Sequence, residues 1–203
     1  APFPPFLPDN RLNYRILLTE RRWLVVQRTI RVKLNPTTEQ ATLLLDTMRQ
    51  HTECFNEIAK VGYEHQEKNG VRLHQETYYG IRKRYPNLPS QLVVAARILA
   101  TESVKSALAR KKKGLKTSCP KANLTPIRYD RRSYSIKNGI VSLATVAGRQ
   151  KLGFSLDPHA EGIWHRATSL NSADLIYYKA FWLHVVVTLP DIEFKSNGEV
   201  VGV

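Results

Sequence analysis

The hydrophobic periodicity of this chain changes near Gly114, from the repeat of amphipathic helices to the alternation typical of strands. Residues 36–113 carry three helical segments, and residues 124–189 carry short runs in which apolar and polar residues alternate. One further alternating segment, residues 23–34, precedes the helices and needs a partner strand. The simplest partner is the later sheet. The sequence therefore predicts an α+β fold, in which a small, bent, barrel-like β domain built from the first and later strands is interrupted by a three-helix insertion.

The bounds of the predicted helices follow from residues that start and stop helices. Thr37 and Gln40 have the spacing of a capping box at the start of the first helix. Asn69-Gly70 is predicted to end this helix. A second helix is predicted over residues 74–85, and a third from about residue 89 to residue 113.

The later half of the chain is predicted to form closely spaced strands. Asn138-Gly139 is a strong signal for a two-residue hairpin turn, and Gly148 marks a second turn. The expected strands lie at residues 127–129, 134–136, 140–143, 152–154, 175–178 and 182–187.

Four segments are expected along the chain. The first is a flexible, basic, proline-rich arm, because four prolines in the first eight residues disfavour helix and sheet interiors. The second is the discontinuous β domain, and the third is the helical insertion. The last is a linker followed by the start of a further domain, because an apolar run begins after Glu199. In chain order the bounds are 1–22 for the arm, 23–34 plus 114–189 for the β domain, 35–113 for the insertion and 190–203 for the linker.

The charge of the chain points to a polyanionic partner. There are 31 Lys and Arg residues against 17 Asp and Glu, a formal net charge of +14, and nucleic acid is the most economical partner for such an excess. Two basic clusters follow amphipathic helices, at residues 82–84 and 110–116. Cations in a last helical turn also favour the helix dipole, but this does not explain the continuation to Arg132. The candidates for phosphate binding are Arg82, Lys83, Arg84, Arg110, Lys111, Lys112, Lys113, Lys116, Lys121, Arg128, Arg131 and Arg132.

Further candidates lie on the first strand and the second helix. Arg31 and Lys33 share one face of the strand and would contact nucleic acid or water. Tyr78 and Tyr79 are candidates for stacking on bases, with helix packing as the alternative for at least one of them.

Other classes of protein have weak support. Two cysteines are too few for a disulfide-rich scaffold or a four-cysteine zinc site, and the six histidines have no metal-binding spacing. No serine lies in a nucleophile elbow, and Cys54 is interpreted as a small buried thiol. No apolar run approaches the roughly 20 residues that span a bilayer. The sequence therefore indicates a soluble, cytoplasmic, nucleoid-associated protein with no membrane partner and no catalytic or metal site in this chain.

The order of several short motifs resembles a known family. These are TIRVKLNPTTEQ at residues 29–40, ECFN at 53–56, LPSQ at 88–91, KKGLKTSCPK at 112–121, and the strand segments at 128–129, 152–153, 179–182 and 200–203. Together they resemble the N-terminal half of TnpB/OrfB-type transposon-encoded proteins, which are RNA-guided nucleases related to the type V CRISPR effectors. The departures are an alanine after the Cys-Pro-Lys of the connector and an unusually apolar stretch at residues 93–96.

The resemblance implies a function. The β domain would be a wedge-like barrel and the helices a recognition lobe, which together bind a guide RNA and a short motif beside the target DNA. Cleavage would belong to a RuvC-like domain with metal-binding carboxylates. That domain, with its Mg²⁺ and Zn²⁺, is expected only in a C-terminal half that this chain does not include.

By position, the resemblance also assigns the reading of the DNA motif to His74, Thr77, Ser90 and Gln91. Gln91 would pair with adenine, and the alternative for Ser90 and Gln91 is ordinary first-turn helix chemistry. An autonomous, nuclease-free DNA-binding protein or repressor is the alternative function. A DNA-strand transferase is disfavoured, because no set of metal-binding carboxylates is apparent in the sequence.

Overall fold

The computed structural model describes residues 26–190, which form four helices and seven strands. The predicted arm at residues 1–22 and the segment after Pro190 lie outside the described residues. The first half consists of β1 (Val26–Asn35), α1 (Thr38–Glu64), α2 (Gly70–Arg84) and α3 (Ser90–Lys112). The second half consists of β2 (Ile127–Tyr129), β3 (Tyr134–Lys137), β4 (Ile140–Thr145), β5 (Gly148–Leu156), α4 (Pro158–Trp164), β6 (Ser169–Tyr178) and β7 (Ala180–Leu189).

The strands form one antiparallel sheet in the order β2-β6-β7-β1-β5-β4-β3. The first strand lies in the middle of the sheet, between β5 and β7, which confirms that the three long helices interrupt a β unit. Side chains connect the two edges: the Tyr134 hydroxyl donates to the carbonyl of Asn171, and the Tyr129 hydroxyl donates to the carbonyl of Ala144 at 3.0 Å. The sheet is therefore nearly closed, as the α+β prediction of a barrel-like domain requires.

The predicted capping box starts α1. The backbone N–H of Gln40 donates to Thr37 Oγ1 at 3.3 Å, and the backbone N–H of Thr37 donates to Gln40 Oε1 at 3.1 Å. The Gln40 amide also donates to the carbonyl of Lys151 in β5 at 2.9 Å. The start of α1 is thus attached to the barrel as well as capped.

The predicted bounds between α1 and α2 are wrong. The first helix ends at Glu64, and Gln66 adopts a left-handed conformation with φ of 53°. Asn69 does not end α1 but caps α2, because its Oδ1 accepts a hydrogen bond from the N–H of Val71 at 2.8 Å. An Asn-Gly pair can end one helix or begin the next, and the turn at Gln66 decides between these uses.

The hairpin turns agree with the sequence, and the last three strands are longer than predicted. Asn138 and Gly139 have φ of 49° and 72°, as a two-residue turn of this kind requires, and Gly148 has φ of 82°. Pairing along β5, β6 and β7 continues through polar residues, because backbone hydrogen bonds do not depend on apolar side chains.

The helix α4 was not predicted. Its seven residues are too short for a periodic pattern, although Asp157 caps it by accepting from the N–H of Ala160 at 2.8 Å.

The helices and the barrel share one hydrophobic core. The face of β1 that carries Ile30, Val32 and Leu34 is buried in the same cluster as residues of α1, α2 and α3. The opposite face of β1 carries Arg31 and Lys33, which are exposed as the alternation predicts. Among the helices of residues 26–190, none combines the length and the apolar character needed to cross a membrane.

Candidate nucleic-acid interface

The segment between α3 and β2, residues 113–126, is called the connector, and side chains of α1 hold it in place. The Asn56 amide donates to the carbonyl of Ala122 and accepts from the N–H of Ala122, both at 2.9 Å. One turn away, the Thr52 hydroxyl oxygen accepts from the N–H of Thr125 at 2.9 Å. The connector has no regular secondary structure of its own, so these bonds fix the path of its backbone.

Tyr63 of α1 supports the beginning of the connector. The Lys111 ammonium lies 5.7 Å from the centroid of the Tyr63 ring, a cation–π arrangement. The Tyr63 hydroxyl also donates to the carbonyl of Thr117 at 3.4 Å. Within the ECFN segment at residues 53–56, Phe55 is buried in the core and Asn56 fixes the connector.

Six predicted phosphate-binding residues lie at the end of α3 and on the connector, and we call them the basic strip. All six are exposed, and within residues 26–190 none of them forms an ion pair with a carboxylate. Their charges are thus available to a ligand. The members of the basic strip are Arg110, Lys111, Lys112, Lys113, Lys116 and Lys121.

A groove of about 600 Å³ runs between α3 and the connector, beside the basic strip. Arg110 and Lys116 line it together with hydroxyl groups from both sides, those of Ser103, Ser106, Thr117 and Ser118. Cations and hydroxyl donors are the groups that bind phosphate oxygens in protein–nucleic acid complexes. Leu99 and Glu102 line this groove and also a second one nearer the start of α3, so the two grooves are contiguous along the helix.

The three predicted arginines after the connector differ from the basic strip because each has a polar partner. Arg128 pairs with Asp174 at 3.1 Å, and Arg132 with Asp130 at 2.8 Å. The third, Arg131, donates to the Asn171 side chain at 3.2 Å. These three side chains remain exposed, but their charge is partly compensated within the protein.

The other basic cluster is distant from the basic strip. Arg82 donates to the carbonyls of Tyr85, Pro86 and Leu88 and so closes the turn between α2 and α3. Arg84 pairs with Glu57, whereas Lys83 is exposed. Since this cluster lies at the beginning of α3 and the basic strip at its end, a helix of this length separates them by about 30 Å. The structure does not bring the two predicted clusters together.

The predicted motif-reading residues of α2 have different surroundings. The rings of His74 and Tyr78 stack with centroids 4.4 Å apart, and both are half-buried. Tyr79 is 80% exposed and meets the edge of Tyr78, so it is the freer of the two candidate stacking residues. Thr77 is buried, and its hydroxyl donates to the carbonyl of Leu73 at 2.6 Å. In this structure Thr77 serves the packing of α2 and presents no group to a ligand.

The two candidates at the start of α3 are not used to cap the helix. Pro89 is the N-cap residue, and no side chain in the described part of the chain forms a hydrogen bond that caps α3. Ser90 is exposed, and Gln91 lines the second groove. Gln91 is therefore placed where a ligand in that groove could reach it.

Arg31 and Lys33 lie on the outer surface of the barrel, where strand pairing gives them neighbours that the sequence does not reveal. Lys33 is opposite Trp182 on β7. Arg31 is opposite His184, which is opposite Asp174 on β6, and Asp174 is opposite Arg128 on β2. Because Arg128 also lines the second groove, this cross-strand row connects the β1 cations with the groove beside α3.

Across residues 26–190 no three His, Cys, Asp or Glu side chains come together as a metal ion would require. Cys54 is buried, and this burial raises the pKa of its thiol to about 12. The interpretation of Cys54 as a packed, unreactive thiol agrees with this environment.

No family model matches the chain, and no curated protein matches it significantly.

Asn56 provides a direct test of how the connector is held. We expect Asn56→Ala to lower the free energy of unfolding by about 2 kcal/mol, because two hydrogen bonds to Ala122 are lost. Affinity for RNA should fall about tenfold, since ordering the released connector would then oppose binding. The salt dependence of binding should not change, because no cation is removed. Urea unfolding and fluorescence anisotropy measure these effects, and the exposed Lys60→Ala is the control on the same helix. An Asn56→Ala protein with unaltered stability would contradict the assigned role.

Proposed function

We propose that this chain is the nucleic-acid-binding portion of a TnpB-like RNA-guided DNA endonuclease, and that it binds a guide RNA together with a short motif beside the DNA target. One observation carries the proposal: six exposed cations without ion-pair partners in the described part of the chain follow a backbone that α1 fixes, beside a groove along α3. A fixed row of uncompensated cations suits a polyanion with regularly spaced phosphates.

The residues would have distinct roles in this complex. The basic strip would bind successive phosphates of the RNA, and the serine and threonine hydroxyls of the adjacent groove would donate to the same backbone. Arg128, Arg131 and Arg132 would extend the contact onto the barrel, at the expense of their present partners. Gln91 and Ser90 would contact bases at the start of α3, and Tyr79 would offer a stacking surface on α2.

The first test is whether RNA binds and how the binding depends on salt. We expect the purified protein to co-isolate RNA that nuclease treatment removes. Rebinding of a single-stranded RNA should have a log–log salt slope of about −4, because six phosphate contacts release about 0.7 counterion each. Sequencing of the bound RNA would identify the guide. Tighter binding of duplex DNA than of any RNA would favour the alternative, a nuclease-free DNA-binding protein or repressor. Failure to bind either nucleic acid at about 50 mM salt would exclude both the proposed function and this alternative.

A further inference from the structure

The second groove, which we call the α3 pocket, has a volume of about 430 Å³ and lies between the first half of α3 and strands β2 and β6. Most of its surface is apolar and includes Val94, Ala95 and Ile98 on one side and Tyr129 on the other. Three carboxylates also line it, those of Glu102, Asp130 and Asp174, and the last two are paired with arginines. Volumes of this size, with apolar walls and a few polar groups, are typical of sites for small flat ligands.

His51 of α1 also lines the α3 pocket and has an unusual hydrogen-bonding state. The residue is only 1% exposed. Its Nδ1 lies 2.9 Å from the Thr125 hydroxyl oxygen, whereas its buried Nε2 has no hydrogen-bond partner among residues 26–190. A buried polar atom without a partner is costly, and a ligand in the pocket that His51 lines could supply that partner.

The neighbouring hydroxyl groups determine which nitrogen carries the proton. The Thr52 hydroxyl donates to the carbonyl of Met48 at 2.7 Å, so its hydrogen is not available to Thr125. We assign the 3.0 Å contact between the hydroxyl oxygens of Thr52 and Thr125 as a hydrogen bond that Thr125 donates to Thr52. With this assignment Thr125 accepts from His51, the proton of the ring is on Nδ1, and Nε2 has a free lone pair. Burial lowers the pKa of His51 to about 4, so the ring is neutral near pH 7.

We propose that the α3 pocket binds one unpaired adenine or cytosine of the nucleic acid, whose exocyclic amino group donates a hydrogen bond to His51 Nε2. The inference rests on the proposed function and adds a base-specific subsite to it. The apolar walls suit the faces of a base, and the lone pair on Nε2 requires a donor. Uracil or thymine presents a carbonyl oxygen at the position of the amino group of cytosine. In the same pose this oxygen and His51 Nε2, both acceptors, would face each other.

Two other features of the α3 pocket fit an unpaired nucleotide. Gln91 lines the pocket and offers an amide that can both donate to and accept from a base edge. Arg128 and Arg132 line the same pocket with exposed side chains, and each would exchange its aspartate partner for the phosphate of the bound nucleotide. The contiguous groove beside the basic strip would hold the flanking nucleotides.

The test compares single-stranded RNA 12-mers that differ only in the exocyclic group. Fluorescence anisotropy would be measured with oligo(A) against oligo(purine riboside), which lacks the amino group, and with oligo(C) against oligo(U). We expect about tenfold tighter binding of the amino-bearing member of at least one pair, and the pair that responds identifies the base. Equal binding within both pairs would overturn the subsite while leaving the proposed function intact. If none of the four binds, the proposed function itself fails.

Two variants connect the preference to the pocket. His51→Phe keeps a ring of similar size but removes the acceptor, and should abolish the preference while retaining the salt slope. Val94→Trp should fill the pocket without altering the contact between His51 and Thr125, and should also abolish the preference. Because the second variant leaves the buried network intact, it remains informative if the first is poorly folded. A preference that survives in Val94→Trp would overturn the inference.

Discussion

Replacing Lys111, Lys112, Lys113 and Lys116 together by alanine is expected to reduce the salt slope for single-stranded RNA by about three, or by nearly four for duplex DNA. The corresponding loss of affinity at 0.1 M salt is about several hundredfold, because each lost phosphate contact no longer releases a counterion. All four side chains are exposed, and none of them pairs with a carboxylate within residues 26–190. The unfolding free energy should therefore change by less than about 0.5 kcal/mol per site, except at Lys111, where the cation–π contact with Tyr63 is also lost. Anisotropy titrations over a salt series measure the slope directly.

A matched variant separates the basic strip from the net charge of the protein. Four other exposed lysines, which lie outside every predicted site, would be replaced by alanine to remove the same charge: Lys68, Lys105, Lys137 and Lys151. This control should change the slope by less than about one, because long-range effects of distant charges are screened. Equal reductions in both proteins would show that RNA associates through diffuse charge, and the proposed role of the strip would then be wrong.

The sequence identifies the basic residues but does not rank them as candidates for phosphate binding. In the sequence, residues 82–84 and 110–113 are equivalent, since each run follows an amphipathic helix. In the structure, Arg82 donates to backbone carbonyls and Arg84 pairs with Glu57, whereas Lys111 and its neighbours form no ion pair within residues 26–190. The partners are distant in sequence, so composition and periodicity cannot reveal them. The fold therefore favours the basic strip over residues 82–84 as the proposed phosphate-binding site.

Local signals predicted the fold well where they act over short distances. The capping box at Thr37, the turn at Asn138 and the alternation of β1 all depend on residues within a few positions of one another. The pairing of β1 with later strands followed from one physical requirement, that an exposed strand edge finds a partner. Asn69 can end one helix or begin the next, and the sequence alone does not decide between these uses. The helix α4 is too short for its periodicity to be recognised in the sequence.

The candidate site depends on contacts that only the tertiary structure defines. His51 and Thr125 are 74 residues apart, and nothing near either residue predicts the contact. Arg128 and Asp174 meet because of the register between β2 and β6, which periodicity does not fix. The only available signal for His51 was a histidine close to the apolar stripe of a helix. Burial keeps the His51 ring neutral, because a charged ring is costly in the core, and a neutral ring has a nitrogen that can accept a hydrogen bond.

Burial of His51 also predicts how stability depends on pH. In the unfolded chain His51 takes up a proton near its ordinary pKa of 6.5, whereas in the folded protein the pKa is lowered to about 4 by burial. Between these values the unfolded state binds more protons, so the free energy of unfolding falls as the pH decreases. The contribution is complete above pH 6.5 and is lost progressively down to about pH 4. The shift corresponds to a loss of about 3 kcal/mol over this window.

Urea unfolding of the wild type and of His51→Phe, measured in parallel between about pH 4 and pH 7.5, isolates this contribution. Other groups with lowered pKa, such as His184 and Glu67, are present in both proteins and cancel in the difference. The difference curve should slope by up to about 1.4 kcal/mol per pH unit below 6.5 and become flat near neutral pH. A flat difference throughout would mean that folding does not change the pKa of His51, and the effect assigned to its burial would then be wrong. A difference of opposite sign would mean that the folded protein holds the proton on His51 more tightly than the unfolded chain. That outcome would remove the free lone pair on Nε2 near neutral pH and would contradict the base subsite before any RNA is added.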